Sequence, residues 1–284
     1  MIDRIIRSFE LVKASWKILM EDKRLLAFPI ISGIVTLLVI ATFIPLVFLS
    51  NGLFSFNTST IGGIVSVFVF YLICYFVVIF FNVGLISCVY AKLNGKSMTI
   101  REGLSTASSH LPSILAWAVV AATVGLILRM LEERSGLLGQ IVISIVGAAW
   151  SIVTLFVVPV LAFEDKNVFA ALKESLELFK KTWGESVVGT LSISLIFTVV
   201  GFVSLILVIG TLFIGDTTLF YIALALFIVL IAVLAILASA MQGIFTVALY
   251  MYAKTGSAPG ILPPGVIEGA FAPSNNQQFI PGNI

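Results

Sequence analysis

Six long runs without a charged residue constrain this chain more than any other feature of its sequence. Each meets or nearly meets the length of about 20 residues that an α-helix needs to cross a hydrocarbon core. They are Leu25–Leu49, Ile61–Tyr90, Pro112–Leu128, Leu137–Phe163, Val187–Ile214 and Leu219–Tyr252. The sequence therefore predicts an all-α, polytopic membrane helix bundle with six transmembrane helices.

The composition excludes several other classes of protein. Charged residues make up 11% of the chain and hydrophobic residues 60%, whereas a soluble domain carries about 25% charged residues. The net charge of +2 gives no basic field for nucleic acid, so no nucleic-acid partner is expected. One histidine and two cysteines are too few for a common zinc site, and no cofactor is predicted.

The connections between the runs predict both the pairing and the orientation of the helices. Short connections follow the first, third and fifth runs, so the six helices form three hairpins. The longer segments between hairpins, together with both terminal segments, hold 14 of the 16 Lys and Arg residues. By the positive-inside rule, we expect a multi-pass membrane protein with cytoplasmic N and C termini.

The long charged segments also have the pattern of amphipathic helices. Apolar residues recur every three or four positions in residues 2–19 and 168–183, and charged residues fill the opposite face. We expect one such interfacial helix before each hairpin, either in the membrane interface or packed across the helix ends. The residues predicted to contact a partner or lipid there are Lys13, Trp16, Arg24, Lys180, Lys181 and Trp183.

An internal repeat relates the first and last of these amphipathic helices. Ser8–Trp16 aligns with Ser175–Trp183, and a weaker middle copy begins at Thr99, where Glu102 has capping-box spacing. Each unit contains an even number of crossings, so the repeats are predicted to be parallel. The domain boundaries follow: a transmembrane domain at 1–257, with units at about 1–96, 97–163 and 164–257, and a Pro/Gly-rich cytoplasmic tail at 258–284.

Several short motifs resemble a family of bacterial and archaeal six-helix membrane proteins known only as a domain of unknown function. The resemblance spans residues 10–255, and it implies the six-helix fold and a prokaryotic plasma (inner) membrane but no activity, substrate or catalytic residue. The motifs are Ser15–Lys17, Leu26–Pro29, Arg101–Leu104, Trp150 with Phe156–Pro159, Ala171–Ser175 and Thr182–Glu185.

Uncharged polar residues and prolines within the runs predict packing features. We expect the amides Asn82, Gln140 and Gln242 to make hydrogen bonds between helices rather than to line a substrate path. Pro29, Pro45 and Pro159 should mark helix ends or kinks.

The absence of ionisable groups in the runs disfavours proton-coupled transport. Polar residues are concentrated on the predicted cytoplasmic face. We therefore expect a non-catalytic membrane scaffold or accessory subunit that binds partner proteins or lipid there, with a protein partner or a homo-oligomer as the assembly. The alternative is a transporter, channel or lipid-handling protein for an uncharged or amphiphilic substrate.

A third hypothesis is an enzyme that acts on lipid head groups. It would need a cluster of acid and base groups near the interface, and the candidates are His110, Glu164, Asp165 and Glu185. Because no recognisable nucleophile or acid-base set accompanies them, the sequence favours a protein that is not an enzyme.

Overall fold

The computed structural model describes residues 13–49, 56, 58–164 and 166–256, without the side chains of 183–189 and 191. Within these residues the chain is helical and contains no strand. The predicted tail at 258–284, the candidate Asp165 and the first twelve residues of the amphipathic N-terminal segment lie outside the described residues.

Ten α-helices and one short 3-10 helix account for almost all of the described chain. A first helix, α1, covers residues 13–21, and a 3-10 turn at Lys23–Leu26 leads into the second. The others are α2 (Ala27–Leu49), α3 (Ile61–Leu93), α4 (Ile100–Ser109), α5 (Leu111–Glu133), α6 (Leu137–Val153), α7 (Val157–Phe163), α8 (Val168–Lys181), α9 (Trp183–Leu212) and α10 (Thr217–Thr255).

In the described part of the chain, six segments are long and apolar enough to cross a membrane, which confirms the predicted number of spans. They are Lys23–Leu49, Ile61–Leu93, Leu111–Glu133, Leu137–Phe163, Ser192–Leu212 and Thr217–Thr255. We call the end where α1, α4 and α8 lie the charged end, and the other end, with residues 58–60, 134–136 and 213–216, the loop end.

The helix α3 is the centre of the bundle. It packs against α2, α4, α5, α7 and α10. Its buried residues are concentrated between Val77 and Leu93, and those of α10 between Ala240 and Tyr250. The hydrophobic core therefore lies in the half of the bundle nearest the charged end.

Large apolar side chains cover the outside of the other half. Leu207 of α9 and Leu226 of α10 are 69% and 65% exposed, and Phe213 between them is 88% exposed. Water would make such a surface unstable, whereas hydrocarbon covers it at no cost. The exposed faces of α9 and α10 are therefore lipid-facing surfaces.

Side-chain caps and prolines define several helix starts. Thr99 and Glu102 form the predicted capping box: the Thr99 N–H donates to the Glu102 carboxylate at 2.7 Å, and the Glu102 N–H donates to Thr99 Oγ1 at 3.3 Å. Pro29 and Pro159 lie in the first turns of α2 and α7, where no intrahelical partner for the N–H is lost, while Pro45 lies inside α2. Pro29 and Pro159 therefore mark helix starts, as predicted, whereas α2 continues through Pro45.

The short helix α4 packs directly against the backbone of α3 through two glycines. A Cβ atom at Gly103 would lie 2.7 Å from Cys88 Sγ and 2.9 Å from the Gly84 carbonyl oxygen. The ring of Phe28, which is 1% exposed, fills the remaining space beside both glycines. Helix α4 is thus part of the packed bundle and does not lie free in the interface.

The fourth spanning segment is not one continuous helix. It leaves the helical conformation at residues 154–156, between α6 and α7. The hydroxyl of Ser175, on α8, donates to the Val153 carbonyl at 2.6 Å and accepts from the Phe156 N–H at 3.1 Å. Ser175 has no exposed surface. One hydroxyl therefore satisfies two backbone groups at the break and fixes α8 to it.

We predict that replacing Ser175 with alanine lowers the free energy of unfolding by about 1–3 kcal/mol, because a buried N–H and a buried carbonyl lose their shared partner. Thermal unfolding in mild detergent would measure the change. Ser108→Ala is the matched control, since Ser108 is exposed and its hydroxyl bonds only to Leu104 of its own helix. The control should change stability by less than about 0.5 kcal/mol, and equal effects of the two substitutions would contradict the bridging role.

Candidate functional site

The amphipathic helix α8 buries a face of small and medium-sized residues. Val168, Ala171, Ser175 and Leu178 are buried, whereas Phe169 is 77% exposed. Phe169 belongs to the apolar stripe of the sequence pattern, so the apolar stripe and the buried face of α8 do not coincide. Small side chains face the bundle because they let α8 approach α6 and α7 closely, which leaves the large phenylalanine on the outside.

Helix α1 shows the same arrangement. Ser15, Ile18 and Leu19 are buried, and Trp16 is 41% exposed. Trp16, a residue of the apolar stripe, presents its ring at the surface of the charged end. An exposed tryptophan whose ring has an apolar body and a polar N–H suits the membrane interface.

The predicted contact residues are at the surface wherever their side chains are described. Lys13, Arg24, Lys180 and Lys181 are exposed at the charged end, as is Trp16. Trp183 is the first residue of α9, but its side chain lies outside the described part. What these residues bind stays a prediction.

A larger set of basic side chains surrounds these residues, and we call it the cationic belt. All of its members are exposed, and none forms an ion pair with another described residue. Three of the four charged segments contribute one or more of them. The belt consists of Lys13, Lys17, Lys23, Arg24, Lys96, Arg101, Lys173, Lys180 and Lys181.

Four charged side chains of the charged end do form a cluster. Lys166 Nζ lies 2.7 Å from Glu164 Oε2, and Lys254 Nζ lies 2.8 Å from Glu164 Oε1. Both lysines also pair with Glu174 of α8, and Tyr250 donates its hydroxyl to Glu164 at 2.6 Å. The cluster joins the segment after α7, helix α8 and the end of α10.

The cluster holds both carboxylates in the ionised form. Burial raises the pKa of the Glu164 carboxyl, but hydrogen bonds from the two lysines and from Tyr250 outweigh that effect and lower the pKa to about 2. Hydrogen bonds from the same lysines lower the pKa of Glu174. Since two carboxylates face two ammonium groups, the cluster has no net charge and acts as a structural clamp.

Three aromatic rings support the clamp from below. Tyr90 stacks on Phe163 with ring centroids 4.3 Å apart, and Phe163 lies 5.7 Å from the ring of Tyr250. These rings connect α3, α7 and α10 next to Glu164, which follows Phe163 in the chain.

Sequence reasoning missed most of the clamp. It singled out Glu164 but not its partners, because residues 164, 174 and 254 are far apart along the chain. One signal was present: Tyr250 and Lys254 are spaced i, i+4, so they share a helix face at the end of α10.

The candidate catalytic residues are not brought together by any described hydrogen bond. His110 Nδ1 is within 2.8 Å of the Thr106 carbonyl oxygen and 3.1 Å of Ser109 Oγ, both in its own segment. Glu164 is engaged by Lys166, Lys254 and Tyr250 instead.

The fold and the charged end define a polytopic α-helical membrane protein. The chain belongs to the family of unknown function DUF6159, whose sequence profile matches residues 61–260. This confirms the resemblance to a domain of unknown function. The matched range includes the motifs from Arg101 onward, whereas those at Ser15–Lys17 and Leu26–Pro29 precede it. No curated protein matches the chain.

We predict that Glu164→Gln lowers the free energy of unfolding at neutral pH by about 1–3 kcal/mol, because two charged hydrogen bonds are weakened. The pKa of Glu164 is lower in the folded state than its ordinary value of 4.5, so its stabilisation is complete above that value and is lost as the pH falls towards 2. The difference in the free energy of unfolding between wild type and variant should therefore become smaller as the pH falls through that range. Thermal unfolding in detergent at a series of pH values measures it.

The control for this experiment is Glu177→Gln. Glu177 is an exposed residue of α8 and forms no ion pair with a described residue. This substitution should change the free energy of unfolding little at any pH. If the free energies of wild type and Glu164→Gln differ by a constant amount down to pH 2, the clamp is contradicted.

Proposed function

We propose that this protein is a non-catalytic scaffold or accessory subunit of a prokaryotic plasma membrane, and that its charged end binds partner proteins or lipid head groups on the cytoplasmic side. The observation that carries the proposal is the cationic belt. Nine exposed cations without an intramolecular ion pair in the described chain are available to an anionic surface from outside.

The packing of the helices that carry the cationic belt supports this proposal. Helix α4 packs on α3 through Gly103, and α8 is held by Ser175 and by the clamp at Glu174. The basic residues of these helices are therefore presented on a rigid surface, so less conformational entropy is lost on binding. Each lysine or arginine near an anionic leaflet contributes about 1 kcal/mol to attraction.

The electrostatics of Glu164 support a non-catalytic role. A general base works best when its pKa lies near the working pH, and the pKa of Glu164 is lowered to about 2. Its oxygens are also occupied by Lys166, Lys254 and Tyr250. These properties fit a structural carboxylate better than an acid-base catalyst.

The orientation of the protein can be tested by cysteine labelling in intact cells. We predict that Ser97→Cys, at the charged end, is protected from a membrane-impermeant maleimide, while Glu132→Cys, at the loop end, is labelled. Both residues are exposed, and the background carries Cys74→Ala and Cys88→Ala. Lysed cells should show labelling at both positions, and labelling of Ser97→Cys alone in intact cells would reverse the proposed orientation.

The binding role can be tested by photo-crosslinking in cells that express the protein. We predict that a photoreactive amino acid at Trp16 gives a discrete protein or lipid adduct. Replacing Lys13, Arg24 and Lys181 with glutamine, which removes three positive charges, should reduce the yield of this adduct several-fold. The adduct is analysed by mass spectrometry after purification. A photoreactive group at Phe213, 88% exposed at the loop end, is the positional control.

Arg134→Gln is the charge control, because Arg134 is an exposed cation at the loop end. It should leave the adduct at Trp16 unchanged. Phe213 lies on the lipid-facing surface and should give bulk-lipid adducts only. The proposal fails if Trp16 gives no protein or anionic-lipid adduct beyond those at Phe213, or if neutralising the belt has no effect.

A further inference from the structure

A cleft enters the bundle between α2, α3, the α6–α7 break and α10. Its volume is about 210 Å³. The deep wall is formed by buried residues that include Phe28, Leu85 and Gly243, and the two exposed lining residues are Val78 and Ser239. The exposed pair therefore marks the mouth.

The mouth lies at membrane depth. Val78 and Ser239 belong to the spanning segments Ile61–Leu93 and Thr217–Thr255. Asn82, which lines the cleft, is eleven residues from the end of α3 at Leu93, or about 16 Å along the helix axis. A molecule entering the cleft would therefore arrive from the lipid and not from water.

The polar side chains in the cleft are uncharged. Five of the lining residues carry a hydroxyl or an amide, and none of the described lining residues is ionisable. A phosphate or an ammonium group buried there would have no counter-charge, which is strongly unfavourable. The polar set is Ser32, Asn82, Ser239, Gln242 and Thr246.

The two amides in the cleft differ in their partners. Gln242 Nε2 donates to Thr190 Oγ1 at 3.3 Å, which is the predicted hydrogen bond between helices. The predicted bond for Asn82 is not found, since its carboxamide makes no hydrogen bond to a described residue. A polar group at this depth without a partner is costly. The Asn82 amide, which can donate and accept, is thus available to a ligand, as is the oxygen of Gln242.

We infer that the cleft binds the hydroxyl head of an uncharged lipid, of the diacylglycerol or long-chain alcohol class. A hydroxyl both donates and accepts, so it can bond to the Asn82 amide and donate to Gln242 Oε1. The cleft is smaller than the roughly 300–1,000 Å³ of pockets for drug-sized ligands. It therefore holds the head and leaves the chains in the surrounding lipid beyond Val78 and Ser239. This site is separate from the cationic belt and does not depend on the proposed function.

Native mass spectrometry of the protein released from phosphatidylcholine nanodiscs containing dioleoylglycerol tests this inference. The wild-type chain should retain one dioleoylglycerol. Asn82→Leu removes the amide and Ser239→Phe obstructs the mouth, so each should reduce retention about tenfold. Because Ser239 is exposed, its variant tests the site even if Asn82→Leu does not fold.

Two matched controls should retain the lipid. Gln140→Leu removes an amide from α6 outside the cleft, and Val233→Phe adds a ring to an exposed position of α10 outside it. The inference is overturned if Ser239→Phe retains dioleoylglycerol as well as Val233→Phe does, or if the wild type retains no lipid. It is also overturned if trioleoylglycerol, which has no hydroxyl, or phosphatidylcholine is retained equally well.

Discussion

Backbone hydrogen bonding in a hydrocarbon solvent is the constraint on which the charged end depends. A carbonyl or N–H group without a partner costs several kcal/mol there, yet the fourth spanning segment leaves the helical conformation between Val153 and Val157. The Ser175 hydroxyl resolves the conflict by bonding to both sides of the break. Because Ser175 belongs to α8, the hydrogen bonds that satisfy the backbone at the break also position this amphipathic helix across the end of the bundle.

The clamp follows from that position. With α8 fixed at the break, Glu174 is held near the end of α10, where it shares Lys166 and Lys254 with Glu164. A similar ion pair occurs in the first part of the chain, where Lys92 Nζ at the end of α3 lies 3.9 Å from Glu21 Oε2 of α1. In both places a lysine at the end of a spanning helix pairs with an amphipathic helix. The internal repeat itself stays a prediction.

Hydropathy was sufficient to predict the spans, and local spacing was sufficient for the Thr99–Glu102 capping box, because both depend on residues close together in the chain. The packed faces of α1 and α8 do not coincide with their apolar stripes. The stripes include Trp16 and Phe169, whereas the bundle packs on Ser15, Ala171 and Ser175. Close helix packing favours small side chains, so apolar bulk is a poor guide to the buried face when the other face can lie in lipid.

The same constraint explains why the cleft could not be read from the sequence. Asn82 and Gln242 looked equivalent, since each is one amide in an apolar run, and the expected outcome for both was a bond between helices. Only the fold separates them. Gln242 donates to Thr190 on α9, while Asn82 lines the cleft together with Pro159 and residues of the break between α6 and α7. The Asn82 carboxamide in the cleft has no hydrogen-bond partner among the described residues. At membrane depth, the surrounding lipid is the nearest source of such a partner.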